Sequence, residues 1–465
     1  MFVMRNIYII LIVLLFFSCQ DFVNETPKGN LIPKTVDDMG MILDAFDIFE
    51  PNAIAFGHGN QTLMTDDCKL PEDVASSANP AVVKSYTWAD HLFDVSKNDG
   101  NWEGFYHVIY LCNYILEKID DAPEGSGEYS RDFVKGSALL NRAHSFFILV
   151  NLYAEHYDEN TASAALGVPL PLESDINIRY GRATVADVYA QVLTDLKEAS
   201  KLLSNKSEYT FQAAKPAAFG LLSRFYLYQG EYKKSWQYAD SVLQIVPELK
   251  DYNTIEQYEP GQPDFGLDNW APYSGWEKPD VVFYKENSDL SSKYYVSDEL
   301  MTLMDPTSDL RYQNFVTNYK YYSFVEDPNG YRYSDEADVN RGISLGEVYL
   351  TEAEAKLRDN DIDGALKALN ALRTKRYVTG TTDITETNPD ALLQIILDER
   401  RRETIFKGLR WFDLKRLNKD SKTAKTITHT LFGQTYTLEP GSKRYVLPIP
   451  RKVIELNSLI EQNPR

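Results

Sequence analysis

The sequence predicts a mainly α-helical protein: tetratricopeptide-like helix pairs forming a superhelical scaffold, with one long irregular, loop-rich side. Three observations carry this. Apolar residues recur at three- and four-residue spacing over long stretches, the mark of amphipathic helices. Residues 219–247 carry a helix-turn-helix repeat pattern. Between the helical stretches, residues 252–295 are rich in Pro, Gly, Asn, Asp and aromatics, a composition that breaks regular structure.

The chain opens Met-Phe-Val-Met-Arg-Asn, runs apolar over residues 7–17 and reaches Ser18-Cys19. One basic residue, a short apolar core and a small residue at the break read as a secretory signal. The run falls short of the roughly 20 residues a bilayer span requires. Cys19 then stands where a bacterial lipobox places its lipidated cysteine, although Phe16 and Phe17 replace the commoner Leu and small residue. The alternative is a plain signal peptide with a chance cysteine. The expected organisation is a signal peptide over 1–18, a polar tether over 19–35 containing Pro27, Gly29 and Pro33, and one globular body. That body comprises an N-terminal helical region, 36–250, and a C-terminal region, 251–465.

Helical periodicity is clearest over 102–119, 133–157, 185–203, 217–228 and 391–406. In the repeat at 219–247, Phe219, Leu222, Ser223 and Tyr226 take first-helix packing positions. Gly230 and Tyr232 make the turn, Ser235 takes the small second-helix position and Pro247 ends the unit. Small residues let the two helices approach, and aromatics fill the groove between repeats. A looser unit spans 349–377, with Ala353 and Ala365 at the small positions and Ile362 at the turn. Residues 133–157 and 185–203 form a further pair, separated by an insertion containing Gly167-Val168-Pro169-Leu170-Pro171. A short strand is expected at 281–284 within the irregular segment. Loops on a rigid scaffold are where binding usually resides.

Composition sets outer bounds. The 465 residues are 43% hydrophobic and 25% charged, ordinary for a folded chain. Net charge is −20, from 48 Lys+Arg against 68 Asp+Glu. Such an excess repels phosphate backbones, so nucleic acid is set aside as a partner. Three cysteines are too few for a disulfide framework. Cys112 lies in an apolar helical run and reads as a small buried residue; a Cys68–Cys112 bridge is the alternative in an oxidising compartment.

Catalytic and cofactor motifs are missing. There is no phosphate-binding lysine loop, no zinc-peptidase helix and no Gly-x-Ser-x-Gly elbow. The six histidines show no i,i+4 pair that would suggest a metal site. Residues 359–364, Asp-Asn-Asp-Ile-Asp-Gly, resemble the start of a calcium loop, but Asn370 stands where that loop needs a bidentate Glu. They read as an interhelical turn and N-cap. The charged run 398–403 is expected to form ion pairs between neighbouring turns of a helix. No cofactor is expected, and the chain is read as a non-enzyme.

The C-terminal third carries a resemblance. Gly408-Leu409-Arg410-Trp411-Phe412-Asp413-Leu414-Lys415-Arg416 resembles the Gly-x-Arg-Trp-Phe-Asp-Leu-x-Arg signature of the RagB/SusD family. Leu447-Pro448-Ile449-Pro450, with Asn457 and Gln462-Asn463-Pro464, resembles that family's closing motif. Glu347-Val348-Tyr349-Leu350 with Ala353-Glu354-Ala355 is similar to its Glu-x-Tyr-Leu…Ala-Glu-Ala helix. Gly136, Arg142-Ala143, Gly167-Val168-Pro169, Arg182, Asp187-Val188-Tyr189 and Asp195-Leu196 match in the N-terminal half, as Cys19-Gln20-Asp21-Phe22 does after the lipid site.

The resemblance implies helices built on tetratricopeptide-like pairs with an irregular ligand-binding side. It implies a lipoprotein of the cell outer membrane, facing the exterior, that binds a nutrient, glycan or peptide, and delivers it to a SusC-like TonB-dependent transporter. Arg410, Asp413 and Arg416 read as an ion-paired brace around a core Trp411, with no ligand role. The candidate ligand-binding residues come from the aromatic loop: Trp270, Tyr273 and Trp276, with Trp88 and Asp67 as weaker candidates. Flat rings stack on the apolar C–H faces of sugars, and neighbouring acids and amides such as Asp268 and Asn269 bond to hydroxyls. Two other readings compete: a surface tetratricopeptide scaffold that binds only proteins, and a surface glycosidase using acids such as Asp264, Asp268, Glu277 and Asp280.

Overall fold

Most of the long helices start on a residue built to accept from their first turn. The computed structural model describes residues 33–44, 61–92, 99–255, 278–287, 295–318, 326–333 and 339–465. Helix α1 (Val36–Asp44) opens on reciprocal bonds between Thr35 and Asp38, at 2.9 and 3.0 Å. Helices α2 (Gly100–Lys118) and α3 (Arg131–Tyr153) are capped by Asp99 and Ser130. Helix α4 (Val185–Leu202) carries a full capping box between Thr184 and Asp187. Helix α5 (Lys215–Gln229) has Pro216 in its first turn and ends on Gly230 at φ 76°, the left-handed position a glycine takes without strain. It is followed by α6 (Tyr232–Ile245), α7 (Leu345–Arg358), α8 (Ile362–Arg376), α9 (Pro389–Glu403) and α10 (Arg410–Leu417).

The paired helices follow the repeat pattern. α5 and α6 form the unit read at 219–247, and the small residue Ser235 is fully buried where they touch. Its Oγ donates to the Ser223 carbonyl at 2.9 Å. α7 and α8 form the second unit, and Asp361 in the turn between them accepts from the Gly364 amide, so the calcium-like stretch is a turn and N-cap. α7 also packs on α6, stacking the two units side by side. α3 pairs with α4, and every residue of α3 from Gly136 to Tyr153 is buried. A helix covered on all faces sits at the middle of its core; here Phe146, Phe147 and Leu149 meet Tyr189, Phe225, Trp411 and Phe412.

Periodicity carries the third helix to residue 157, but α3 stops at Tyr153. Ala154 is extended (φ −132°, ψ 169°), and the buried ammonium of Lys415 donates to the carbonyls of Asn151 and Ala154, at 2.5 and 2.7 Å. A lysine from a distant helix bonds to carbonyls at the end of α3, where the chain turns extended.

Strands are short. β1 (Leu166–Pro169) pairs antiparallel with β2 (Arg182–Thr184) in the proline-rich insertion. The expected strand forms as β3 (Val281–Phe283), antiparallel to β4 (Ile343–Ser344). β5 (Ile427–Leu431) and β6 (Gln434–Leu438) make a hairpin whose inward residues are Ile427, His429 and Leu431. Cys68 and Cys112 are both free and buried, so no bridge joins them, and burial pushes the Cys112 thiol up to about 12. Among the described residues no helix is long and apolar enough to cross a membrane.

Candidate functional site

Hydrogen bonds gather several loop ends around one exposed turn. Residues 203–214 link α4 to α5, and within them Gln212 N donates to Tyr209 O at 3.1 Å. The Glu208 and Tyr209 amides both donate to Gln212 Oε1, at 3.1 and 3.2 Å. Gln212 Nε2 reaches Asp44 Oδ2 at the end of α1, 2.7 Å away, and the Tyr129 hydroxyl donates to the same oxygen at 2.9 Å. The Tyr284 amide donates to Thr210 O at 2.8 Å, which fastens the turn to the end of β3. The next residues of that strand edge, Glu286 and Asn287, pair with Asn340 and Val339.

On this turn Tyr209 and Phe211 lie parallel, ring centroids 5.2 Å apart and planes 4° apart, and Tyr209 is 41% exposed. A flat aromatic face beside amide and carboxyl groups is the chemistry that grips a sugar ring: C–H faces on the ring, hydroxyls on the polar groups. Burial raises the pKa of Asp44, while Gln212 and Tyr129 pull it back. The arrangement can hold a polar, ring-bearing ligand. Among the described residues it contains no nucleophile paired with a base.

The sequence candidates divide. Trp270, Tyr273, Trp276 and Cys19 lie outside the described residues, as do Asp264, Asp268 and Glu277. Asp280 is buried and ion-paired to Arg376 at 2.7 Å. Trp88 and Asp67 need correction as ligand contacts. Trp88 is 1% exposed, stacks on His429 at 4.3 Å and donates from Nε1 to Met64 O at 3.0 Å. His429 stacks in turn on Tyr86 at 4.0 Å. A ring enclosed in this stack offers no face to a sugar. Asp67 is 2% exposed and accepts from Arg401 Nε and Nη2 at 2.9 and 2.8 Å. Its carboxylate is spent inside the protein.

Asp67 belongs to a chain of buried ion pairs that fastens residues 61–68 to the C-terminal third. Arg410 holds both oxygens of Asp66 at 2.8 Å, and Lys425 adds a third bond at 2.7 Å. Burial alone would raise the Asp66 pKa, but Arg410, Arg401 and Lys425 hold it well below the usual carboxylate range. Arg401 and Lys425 also share Glu299, at the edge of the network. In the brace, Asp413 joins Arg400 and Arg416 at 2.8 Å each, Arg416 holds Glu354, and Trp411 is fully buried.

The run 398–403 departs from expectation. Only Glu399–Arg402 is a neighbouring-turn pair. Arg311 reaches Asp309, Glu399 and Glu403, and Arg376 reaches Glu403 and Asp280. Apart from the local Arg311–Asp309 pair, these are long-range pairs closed inside the fold, and their role is cohesion.

Sequence reading passed over Tyr209 and Phe211. The signal was there: two aromatics two positions apart, directly after the polar, non-helical Ser204-Asn205-Lys206-Ser207-Glu208. They fell in a link between repeats, and no aromatic cluster drew attention to it.

Comparison with known proteins places the whole chain. A family model described as SusD family matches residues 205–465, and one described as starch-binding associating with outer membrane matches residues 21–227. A SusD-like protein of Bacteroides ovatus is 24% identical, over 86% of this chain and 80% of its own length. A SusD-like protein of Formosa agariphila is 21% identical, over 96% of this chain and 95% of its own. Among solved structures, a putative sugar binding protein from Bacteroides vulgatus superposes with a TM-score of 0.72 at 23% identity, covering 94% of this chain and 99% of its own. A SusD superfamily protein from Bacteroides thetaiotaomicron gives 0.73 at 22% identity, covering 93% and 100%.

Proposed function

The chain belongs to the SusD family, and from that premise we propose that it is a lipid-anchored receptor on the outer face of the outer membrane that binds an oligosaccharide and passes it to a SusC-like TonB-dependent transporter. The family is one of non-catalytic binding proteins, and the chain is not an enzyme. The observation that carries the reading is the family match over residues 205–465, joined to the match over 21–227. The second of these families is described as starch-binding and outer-membrane associated. Support comes from the signal-like N-terminus ending at Cys19, and from an exposed aromatic turn on a rigid helical scaffold.

The ligand site of this reading is the loop side: Trp270, Tyr273 and Trp276 from the aromatic segment, with Tyr209 and Phe211 beside the strand that follows it. Trp and Tyr rings there supply stacking faces at little conformational cost.

The test is a binding panel of oligosaccharides and peptides against the purified protein, read by isothermal calorimetry and affinity electrophoresis. Saturable binding of an oligosaccharide is expected. Binding of a peptide alone moves the ligand class. No ligand at all, with a protein partner still retained, replaces the receptor with a protein-binding scaffold.

A further inference from the structure

Carboxylates gather around the exposed Tyr209 ring. Glu208, its neighbour in the chain, is exposed. Asp44 is tied to the same turn, accepting at Oδ2 from Gln212 at 2.7 Å and from Tyr129 at 2.9 Å. Glu128, also exposed, precedes Tyr129. Within residues 203–214 the sole cation is Lys206, which is exposed. These groups act on one another. Burial raises the Asp44 carboxyl, and Glu208 adds to the rise against the pull of Gln212 and Tyr129. Burial likewise raises the Tyr129 hydroxyl, and Asp44, Glu128 and Asp37 push it further.

A sugar that carries a carboxylate or sulfate asks for cations. Arginine serves best, because its planar fork matches two oxygens at once. Much of the arginine in this fold is committed inward: Arg142, Arg224, Arg311, Arg376, Arg400 and Arg416 each hold a buried carboxylate. Arg131, two positions beyond Tyr129, is held by Glu124 at 2.5 Å and donates to the Ala122 carbonyl at 2.8 Å. A carboxylate such as Glu208 accepts from a sugar hydroxyl but repels a charged substituent.

The sequence adds the same sign. Residues 256–277, which include Trp270, Tyr273 and Trp276, hold Glu256, Glu259, Asp264, Asp268 and Glu277 and no lysine or arginine. The net charge of −20 extends the repulsion beyond the turn itself.

We propose that Glu208 and Asp44 act as a charge filter at the Tyr209 turn, so that the ligand is an oligosaccharide of uncharged sugars and not one bearing uronate or sulfate groups. The proposal rests on the receptor reading above and narrows its ligand. A C–H face stacks on Tyr209 whether or not the sugar is charged elsewhere. Selection by charge therefore falls to the carboxylates beside the ring.

The test is calorimetry of the purified protein against three sets of oligosaccharides: neutral glucan, mannan and xylan, uronate-bearing pectin and alginate, and sulfated carrageenan. The tightest ligand should be neutral, at least about tenfold tighter than any anionic one at low salt. Added salt should narrow that gap by screening the carboxylates. Glu208→Lys reverses an exposed charge and keeps the backbone amide that bonds Gln212. It should lower the ratio of neutral to anionic affinity at least about threefold. Should that variant not melt cooperatively, Glu208→Gln removes the charge alone and should lower the ratio in the same direction. An anionic oligosaccharide that binds as tightly as the best neutral one overturns the filter and leaves the receptor standing. A neutral preference that neither salt nor the Glu208 variants alter also overturns it. If no oligosaccharide binds, the receptor reading fails and the filter with it.

Discussion

Arg410 donates from Nε and Nη2 to the two carboxylate oxygens of Asp66, each at 2.8 Å, across 344 positions of the chain. Both side chains are nearly closed to solvent. A planar guanidinium matches both oxygens at once, which a lysine ammonium does not. Asp66→Ala therefore leaves Arg410 and Lys425 with an uncompensated buried charge, and should cost about 3–5 kcal/mol in urea unfolding. Arg410→Lys should retain the charge and still lose stability. An Asp66→Ala, Arg410→Ala double variant should lose less than the sum of the two single losses. Additive losses would show that the pair does not act as a unit.

Acid should loosen the fold within a defined window. Burial would raise the carboxyls of Glu354 and Asp413, but Arg416 holds Glu354, and Arg400 with Arg416 holds Asp413, at about 2. Their ordinary values are 4.5 and 3.8, so the unfolded chain binds the extra protons. The stability they contribute is complete above pH 4.5 and is lost as pH falls through about 2. Asp413→Asn should be less stable than wild type at pH 7, and the gap should close towards pH 2. A gap of constant size across this range would rule out the linkage.

Trp88 and the loop tryptophans should separate stability from binding. Trp88→Ala empties a buried stack on His429 and should cost about 3–5 kcal/mol. Trp270→Ala or Trp276→Ala should lower glycan affinity by about 1–3 kcal/mol with little change in Tm. Thermal melts and calorimetry on the same preparations check both. Unchanged affinity in a folded Trp270, Tyr273, Trp276 triple alanine variant removes these residues from the site.

Tyr209 gives a second handle on the ligand. Tyr209→Ala removes an exposed ring parallel to Phe211 and leaves the backbone turn to Gln212 in place. Glycan affinity should fall several-fold while Tm stays within about 2 °C, as expected of a surface change. Tyr209→Phe should keep the stacking face and most of the affinity.

If Cys19 is the lipidated anchor, as proposed, Cys19→Ser should release the protein from the membrane or leave it unprocessed, because stable attachment takes more than one acyl chain and the serine would carry none. Fractionation with labelled palmitate reads the outcome. A Cys19→Ser protein that remains processed and membrane-bound would count against lipidation.

The repeats were legible because their constraints are local. Gly230, Ser235 and the aromatics around them sit at fixed spacing within one unit, and the structure uses them at those positions. The charged run 398–403 was not legible in the same way. Sequence shows that Arg401 carries a charge, but its partner Asp67 lies 334 residues away, and no spacing rule encodes that meeting. Trp88 and Asp67 misled for a related reason. Residue type suggests what a side chain could do for a ligand, and only tertiary closure decides whether it faces one. Beyond Tyr153 the helix gives way to extended chain bonded by a distant lysine, where periodicity alone would have continued it.

The distance between Asp66 and Arg410 also bears on the order in which the molecule can assemble. Asp67 precedes Arg401 by 334 residues, and Asp66 precedes Arg410 by 344. Until these arginines are in place, folding residues 61–68 would bury carboxylates without counter-ions, at a large cost. That segment should therefore close only once α9 and α10 are in place to supply the arginines. The helical pairs, whose contacts are near in sequence, are free to form early. Closure of residues 61–68 is keyed to arginines near the far end of the chain.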